Sequence, residues 1–336
     1  MFHDKTILIT GATGLIGSNL VNKLMKLDCA NVIVLARNEK KVRNIFGKYI
    51  KNPNFEYIIQ DIIEPIKIND KKIDYIFHAA GPMERELVLN KPVDVIKPNI
   101  YGIINCLEFL KKQGSGRLIV FSSVTIYANL KNKDITVRED DSNVTEFLDS
   151  NNACYSQSKR ISEVIAHSYN KQYNVDIVIG RLSTVYGPFY RIPKTAFYEF
   201  IIKAIRGEDI TINNSDNPKR DNIYIDDAIS GLLMIAKYGK SNEVYNISSN
   251  CEGNNFLAID EIAEIIADSV RKINDTSINV NFKISEPNNY RKPGIILDNK
   301  KLKGLNWSIN VDFYTGIKET ITFYFKNREL LENLNL

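Results

Sequence analysis

A short apolar run, Lys5–Thr10 (KTILIT), leads directly into Thr10-Gly11-Ala12-Thr13-Gly14-Leu15-Ile16-Gly17, and an amphipathic stretch begins at once. Few folds put three glycines at such a junction. Glycine permits a tight turn and a close backbone approach that any Cβ would block. A helix starting there presents unpaired N–H groups and the positive end of its dipole. Together these make a cradle for a pyrophosphate, provided the motif joins the first strand and helix of a βαβ unit. The rest of the chain meets that condition. Further β-branched apolar runs lie at 31–36 (NVIVLA), 55–59 (FEYII), 73–79 (IDYIFHA), 117–122 (RLIVFS) and 176–181 (DIVIGR). Amphipathic stretches at 14–27, 39–51, 93–112 and 153–173 separate them. The strand runs are apolar at consecutive positions, as expected of strands buried on both faces of a parallel sheet. The predicted fold class is α/β: a Rossmann-type doubly wound parallel sheet, with ligands at the carboxyl ends of its strands.

From about Pro188 the alternation changes. Helical stretches at 195–206, 226–237 and 258–272 are separated by short strands and Asn/Pro-rich loops. The expected organisation is a dinucleotide-binding domain over 1–187, with parts of 215–250, and a smaller C-terminal α/β substrate-binding lobe over 188–336. Residues 128–152 are mostly polar and read as a surface insertion. The net charge of +4 arises from 44 basic and 40 acidic residues without a long basic run, so nucleic acid is not an expected partner. A mild positive balance fits a small anionic one. No apolar run approaches the ~20 residues that span a bilayer, so no membrane partner is expected. No leader fits ahead of Lys5, and a cytoplasmic location is expected. Cys29, Cys106, Cys154 and Cys251 form no CxxC pair and only three histidines are present, so the thiols read as reduced and no metal site is predicted.

The end of the second strand should read the adenosine ribose. A carboxylate there engages the 2′-hydroxyl of NAD, whereas an arginine suits the 2′-phosphate of NADP. The sequence has Ala36-Arg37-Asn38, with Lys40, Lys41 and Arg43 beyond. Arg37 can clamp a phosphate or stack on adenine; the plainer alternative is a solvated basic helix start. NADP is favoured and NAD stays open. Asp61 and Ile62, after the third strand, should lie beside the adenine. Ala79, Ala80 and Gly81 end the fourth, where small residues let a ribose approach. His78 reads as a packed strand residue, and Met83 just beyond falls on the substrate side. Gly11, Thr13, Gly14, Leu15, Ile16 and Gly17 are the candidate pyrophosphate contacts.

Tyr155 and Lys159 stand four residues apart, one turn along a helical face, and Ser122-Ser123 ends the fifth strand. Moving an alcohol proton during hydride transfer needs an acid or base poised near neutral pH. A free tyrosine titrates near pH ~10, and a nearby ammonium favours the phenolate. A serine hydroxyl can hold the substrate oxygen. An exposed helix pair is the plainer reading of YxxxK alone.

At this point the chain resembles the extended short-chain dehydrogenase/reductase family, in particular its nucleotide-sugar epimerases, dehydratases, decarboxylases and reductases. The matching pieces are TGATGLIG, HAAG, VIKPNIYGIINCLEFLKK, FSSVTIY, YSQSKRISE, RLSTVYGP, RDNIYIDDA and EVYNIS, in family order. The resemblance implies Ser123 as the catalytic serine, Tyr155 as the acid/base, and Lys159 as the group that orients the nicotinamide ribose and lowers the tyrosine pKa. It implies Asn99 on the cofactor side and Arg220 and Arg291 on the substrate diphosphate. It also implies a homodimer built on the helices at 93–112 and 153–173. Two departures matter. Family dehydratases carry Asp-Glu directly after the catalytic hydroxyl and decarboxylases a Glu two residues after it; here stand Val124 and Thr125. The Ser-x-Thr pattern is more like that of 4-epimerases, although VDVIKPN and YNVD resemble the decarboxylase branch. Thr184 replaces the asparagine that many relatives place against the diphosphate.

The expected function is therefore NAD(P)-dependent hydride transfer at a ring carbinol or ketone of a nucleotide-diphosphate sugar, as a 4-epimerase or keto-sugar reductase. The alternatives are a dehydratase or decarboxylase of the same family, and a non-catalytic dinucleotide-binding sensor. A pure binder has no need of a serine, a tyrosine and a lysine in this arrangement.

Overall fold

The computed structural model describes residues 2–27, 30–69, 71–127, 133–141, 152–193, 195–213, 217–274, 277–282 and 293–332. In chain order the strands are β1 (Lys5–Thr10), β2 (Ala30–Ala36), β3 (Phe55–Ile59), β4 (Tyr75–His78), β5 (Arg117–Ser123), β6 (Ile135–Val137), β7 (Asp176–Leu182), β8 (Thr184–Tyr186), β9 (Ile210–Ile212), β10 (Arg220–Tyr224), β11 (Glu243–Ile247), β12 (Phe256–Leu257), β13 (Val280–Phe282) and β14 (Ile295–Leu297). The helices are α1 (Leu15–Leu27), α2 (Glu39–Phe46), α3 (Arg85–Asn90), α4 (Pro92–Gln113), α5 (Ala153–Tyr173), α6 (Ala196–Ile205), α7 (Ile225–Tyr238), α8 (Ile259–Asn274), α9 (Lys300–Lys303), α10 (Phe313–Lys326) and α11 (Glu329–Glu332).

Seven strands form one sheet in the order β11-β7-β5-β4-β1-β2-β3, and every neighbouring pair is parallel. The order reverses between β1 and β4, so the crevice for a ligand opens at the carboxyl ends of these two strands. The consecutive apolar residues of β1, β5 and β7 are buried, as two-sided packing requires. One apolar core lies between the sheet and α1 and α7 and continues without a break into α6, α8 and α10. A second lies under α4 and α5 on the opposite face. Three smaller sheets, β12-β10-β8, β13-β9 and β14-β6, carry the remaining strands.

The helix ends follow local chemistry. Pro92 opens α4, where its missing N–H costs no hydrogen bond, and Gly114 closes it at φ 73°. α5 closes on Asn174, also left-handed. α2 is shorter than expected. It ends at Phe46, and Gly47–Tyr49 form a tighter 3-10 turn because glycine is a poor helix former. The stretch 128–152 is not simply a surface insertion. Of its described part, β6 pairs in parallel with β14, and Val137 buries against Ile126, Tyr127 and Leu297. The apolar Ile135 and Val137 in an otherwise polar segment drive that burial. No helix is long and apolar enough to cross a membrane among the described residues.

Candidate active site

The glycine turn sits where β1 enters α1. Gly11 has φ +65°, and a Cβ there would stand 2.5 Å from the Ala80 nitrogen and 2.6 Å from the Ala79 carbonyl. A Cβ on Gly17 would stand 2.5 Å from the Gly11 carbonyl oxygen. Gly11 therefore lets the turn pack against the end of β4, and Gly17 lets the start of α1 pack on the turn itself. Gly14 is exposed at the mouth, and its N–H closes the turn on the Gly11 carbonyl at 3.0 Å. Thr13, Leu15 and Ile16 line the half-open helix start, and α1 has no acidic residue in its first turn to compete for an anion.

Arg37 follows β2 with its side chain 69% exposed, 3.9 Å from the Asp61 carboxylate. Burial, and then the charges of Arg191 and Arg37, hold the Lys41 ammonium below its ordinary pKa, so these three cations stand near one another. Arg191, in the loop after β8, pairs with Glu84 at 3.0 Å. Arg191 is not legible here from the sequence, because it is remote in the chain from the second strand. Ile62 turns its side chain into the second core, while its carbonyl accepts from Asn105 at 2.7 Å. His78 is buried, with Nδ1 at 2.8 Å from the Thr10 hydroxyl, and burial with the nearby Lys159 charge pushes its pKa down to about 3. It is a neutral packed residue, as expected.

The catalytic candidates converge at the ends of β5 and α5. Ser123, Tyr155 and Lys159 are buried. The Tyr155 ring packs against Val88 and Val95. Burial raises its pKa, and a hydrogen bond with Ser123 opposes the rise. Ser123 Oγ accepts from the Thr125 N–H at 3.2 Å and the Thr125 hydroxyl at 3.1 Å. With two donors supplied, the serine proton is left to point at the phenol or at a substrate oxygen. Adjacent residues of a strand face opposite sides; Ser122 is turned away, its hydroxyl buried and unpartnered. Lys159 Nζ donates to the Phe121 carbonyl at 2.8 Å, and it stands 5.8 Å from the Tyr155 ring centre. Burial lowers the ammonium to about 8, against the raising charge of Glu163.

Asn99, on α4, bonds the Val95 carbonyl through Nδ2 at 2.8 Å, while its Oδ1 is buried without a partner. A Cβ on Gly81 would lie 2.5 Å from that Oδ1 and 2.9 Å from Lys159 Nζ. Gly81, Asn99 and Lys159 thus surround one small space with an unmet acceptor and spare ammonium protons. These residues fit a ribose, and the open turn at Gly14 fits a pyrophosphate. A nicotinamide dinucleotide is the group that carries both.

β8 and β10 pair in parallel with Thr184 opposite Asn222, so Thr184 and Arg220 lie near one strand end. Arg220 is solvent-open by surface area, yet surrounding protein desolvates its guanidinium enough to lower its pKa. Among the described residues its side chain has no hydrogen-bond or ion-pair partner. Met83 is 58% exposed. Arg291 lies outside the described residues. No cluster of metal-binding side chains occurs among the described residues.

The model of the NAD dependent epimerase/dehydratase family matches residues 7–248. The chain belongs to that family. Among curated proteins it is 29% identical to UDP-glucuronic acid decarboxylase 6 of Arabidopsis thaliana over 318 residues, 93% of this chain and 86% of that one. It is 28% identical to UDP-glucuronic acid decarboxylase 1 of Xenopus tropicalis over 328 residues, 97% and 73%. Among solved structures, the epimerase Mth375 of Methanothermobacter thermautotrophicus superposes with a TM-score of 0.82 at 22% identity, over 98% of this chain and 95% of that one. UDP-glucuronic acid 4-epimerase from Bacillus cereus, in complex with NAD, superposes with a TM-score of 0.76 at 26% identity, over 96% and 99%.

This member of the NAD dependent epimerase/dehydratase family is thus an enzyme of the extended short-chain dehydrogenase/reductase group. Its relatives are nucleotide-sugar decarboxylases, dehydratases and epimerases. The family is NAD-dependent, and an NADP preference has no counterpart in these comparisons. Sequence reasoning missed the Thr125 bonds to Ser123, the Phe121 carbonyl that holds Lys159, and Glu163. Only Glu163 left a signal, the spacing of four that repeats from Tyr155 through Lys159.

Proposed function

We propose that the protein oxidises or reduces a ring carbon of a nucleoside-diphosphate sugar and leaves the carbon skeleton intact, as a 4-epimerase or keto-sugar reductase. The observation that carries this reading is the buried Ser123–Tyr155–Lys159 set, with Val124 and Thr125 where a carboxylate would assist elimination or decarboxylation. A nicotinamide dinucleotide, when bound, supplies the hydride acceptor or donor. Gly11, Gly14 and Gly17 with the start of α1 hold its pyrophosphate. Gly81, Asn99 and Lys159 take the nicotinamide-side ribose, and Ala79, Ala80 and Asp61 border the dinucleotide groove. Tyr155 takes or returns the proton of the substrate oxygen. Ser123, relieved of its acceptor duty by Thr125, orients that oxygen. Lys159 favours the phenolate through its charge. Arg220 and Thr184, from the paired strands β10 and β8, hold the diphosphate, with Arg291 as its second arginine. Arg37, with Lys41 and Arg191 near it and no carboxylate at positions 36–38, supports NADP as the preferred form. The exposed apolar residues Val93, Ile96 and Tyr101 of α4 and Ile161 and Val164 of α5 support a homodimer across those helices.

A second reading is decarboxylation. Curated UDP-glucuronic acid decarboxylases align along nearly the whole chain, and the β-keto acid that oxidation of C4 would form loses carbon dioxide without a base, its enolate then taking up a proton. The test incubates the protein with UDP-glucose, UDP-glucuronic acid and a 4-keto nucleotide sugar, each with NAD, NADP or their reduced forms, and analyses products by NMR. An inverted or reduced sugar of unchanged carbon count is expected. A pentose with carbon dioxide release would replace the first reading by the second.

A further inference from the structure

Tyr155, Lys159 and Glu163 succeed one another at intervals of four along α5 and so share a helix face. Glu163 is gripped by Arg181 of β7. The guanidinium donates from Nε to Oε1 at 3.0 Å and from Nη2 to Oε2 at 2.8 Å. The two side chains are 11% and 7% exposed, so this is not a water-screened surface pair. Nη1 of the same arginine donates to the Tyr127 hydroxyl at 2.6 Å and to the Glu139 carbonyl at 2.8 Å. Tyr127 donates onward to Asn246 Oδ1 at 3.0 Å. Tyr127 stands four residues after Ser123. One guanidinium therefore ties the helix of the acid/base to the segment that carries the serine. Stability alone gives little reason for such a pair, since desolvating two charges often cancels their attraction and apolar replacements can do as well.

We propose that the Glu163–Arg181 pair is a positioning device for proton transfer: it registers Tyr155 against Ser123 and balances the charge that Lys159 feels one turn away. This rests on the reading of Tyr155 as the acid/base. The charged and titratable groups around Lys159 and the pair are few. On α5 they are Tyr155, Glu163 and Arg160, whose Nη1 donates to the Ile126 carbonyl at 3.3 Å. From β4 comes His78, neutral at working pH because its pKa is about 3. From β7 comes Arg181, for which burial lowers the pKa but the bonds and charge of Glu163 raise it further. After β5 comes Tyr127, pushed up to about 12 by burial and hence neutral. The Glu139 carboxylate acts on Tyr127 and accepts from the Asn246 N–H at 2.8 Å. Asn99, from α4, is uncharged. Among the described residues Glu163 is thus the carboxylate whose charge acts on the Lys159 ammonium.

The geometry makes opposite predictions for the two halves of the pair. Glu163→Gln removes the anion and leaves Arg181 unbalanced, so Lys159 should lose its proton at a lower pH. Arg181→Met leaves the carboxylate unbalanced, so Lys159 should hold its proton to a higher pH. The experiment follows the NMR resonance of the Lys159 ε-carbon in lysine-labelled protein against pH, assigned by its disappearance in Lys159→Met. Shifts of about one pH unit, tenfold in the ionisation constant, are expected in opposite directions. The charge-balanced double variant Glu163→Gln/Arg181→Met should return the midpoint to within a few tenths of the parent. It should still turn over substrate about tenfold more slowly, with KM little changed, because the tie to Tyr127 is gone. If the single variants fail to fold, the double variant carries the test. Equal midpoints in folded single variants, shifts of one sign in both, or parental kcat in the double variant would overturn the proposal. Failure of the underlying reading is seen separately, as undiminished turnover by Tyr155→Phe, which leaves the NMR midpoints meaningful.

Discussion

Lys159 is a functional group that the fold holds at a thermodynamic cost, and Lys159→Met should expose that cost. The ammonium is 5% exposed and its pKa falls from 10.5 to about 8. A base whose folded pKa lies below its unfolded value binds fewer protons in the native state between those two limits. Stability of the parent therefore rises with pH across that window, and the burden of the buried charge is fully present below pH ~8. Two and a half pH units correspond to about 3 kcal/mol. Against this stands the hydrogen bond to the Phe121 carbonyl, worth roughly 1.5–3 kcal/mol with a charged donor. Methionine keeps the length and apolar stem of the side chain. The variant should then be about 0.5–2 kcal/mol more stable than the parent at neutral pH in urea melts of the cofactor-free protein, and the advantage should vanish as pH passes from 8 towards 10.5. Activity should be lost in the same variant. A variant less stable than the parent at neutral pH, or a difference that does not change with pH, would refute the argument.

Four further outcomes are expected. Tyr155→Phe should lower kcat by about 10²–10⁴ while dinucleotide binding, followed by fluorescence, survives; parental turnover would dismiss Tyr155 as the acid/base. NADP(H) should bind about tenfold or more tightly than NAD(H), and Arg37→Ala should remove the difference; an NAD(H) preference untouched by Arg37→Ala would return the site to the family's usual cofactor. Arg220→Ala should raise KM for a nucleotide sugar by an order of magnitude or more and leave cofactor affinity alone; the reverse pattern would move Arg220 out of the substrate site. Light scattering should give a dimer at micromolar concentration, and Val164→Lys should give a monomer; a monomeric parent would leave the apolar face of α4 and α5 unexplained.

The parts of the site that obey local rules were legible in the chain. The glycine turn needs a left-handed residue and close backbone packing, and both requirements write glycine into the sequence. Tyr155 and Lys159 share a face because helix geometry alone dictates it. His78 could be set aside as a catalyst because it sits inside an apolar strand, and its burial against Thr10 agrees. The polar stretch after Tyr127 was less legible. Its composition suggests solvent, yet Ile135 and Val137 pair with β14, some 160 residues away, and no local pattern marks a partner at that separation.

The sequence by itself determined the parallel αβ sheet, the place of its ligand crevice and the identity of the acid/base candidates. Each of these follows from hydrophobic period, backbone sterics or side-chain chemistry within a few residues. Only the tertiary structure decided the charges and hydrogen bonds that make those residues usable. The Phe121 carbonyl beneath Lys159, the two Thr125 donors on Ser123 and the Arg181 fork on Glu163 depend on register between strands and on the depth of α5 against the sheet. Electrostatic energy varies with distance and with exclusion of water, and both are properties of the packed molecule rather than of the order of its residues.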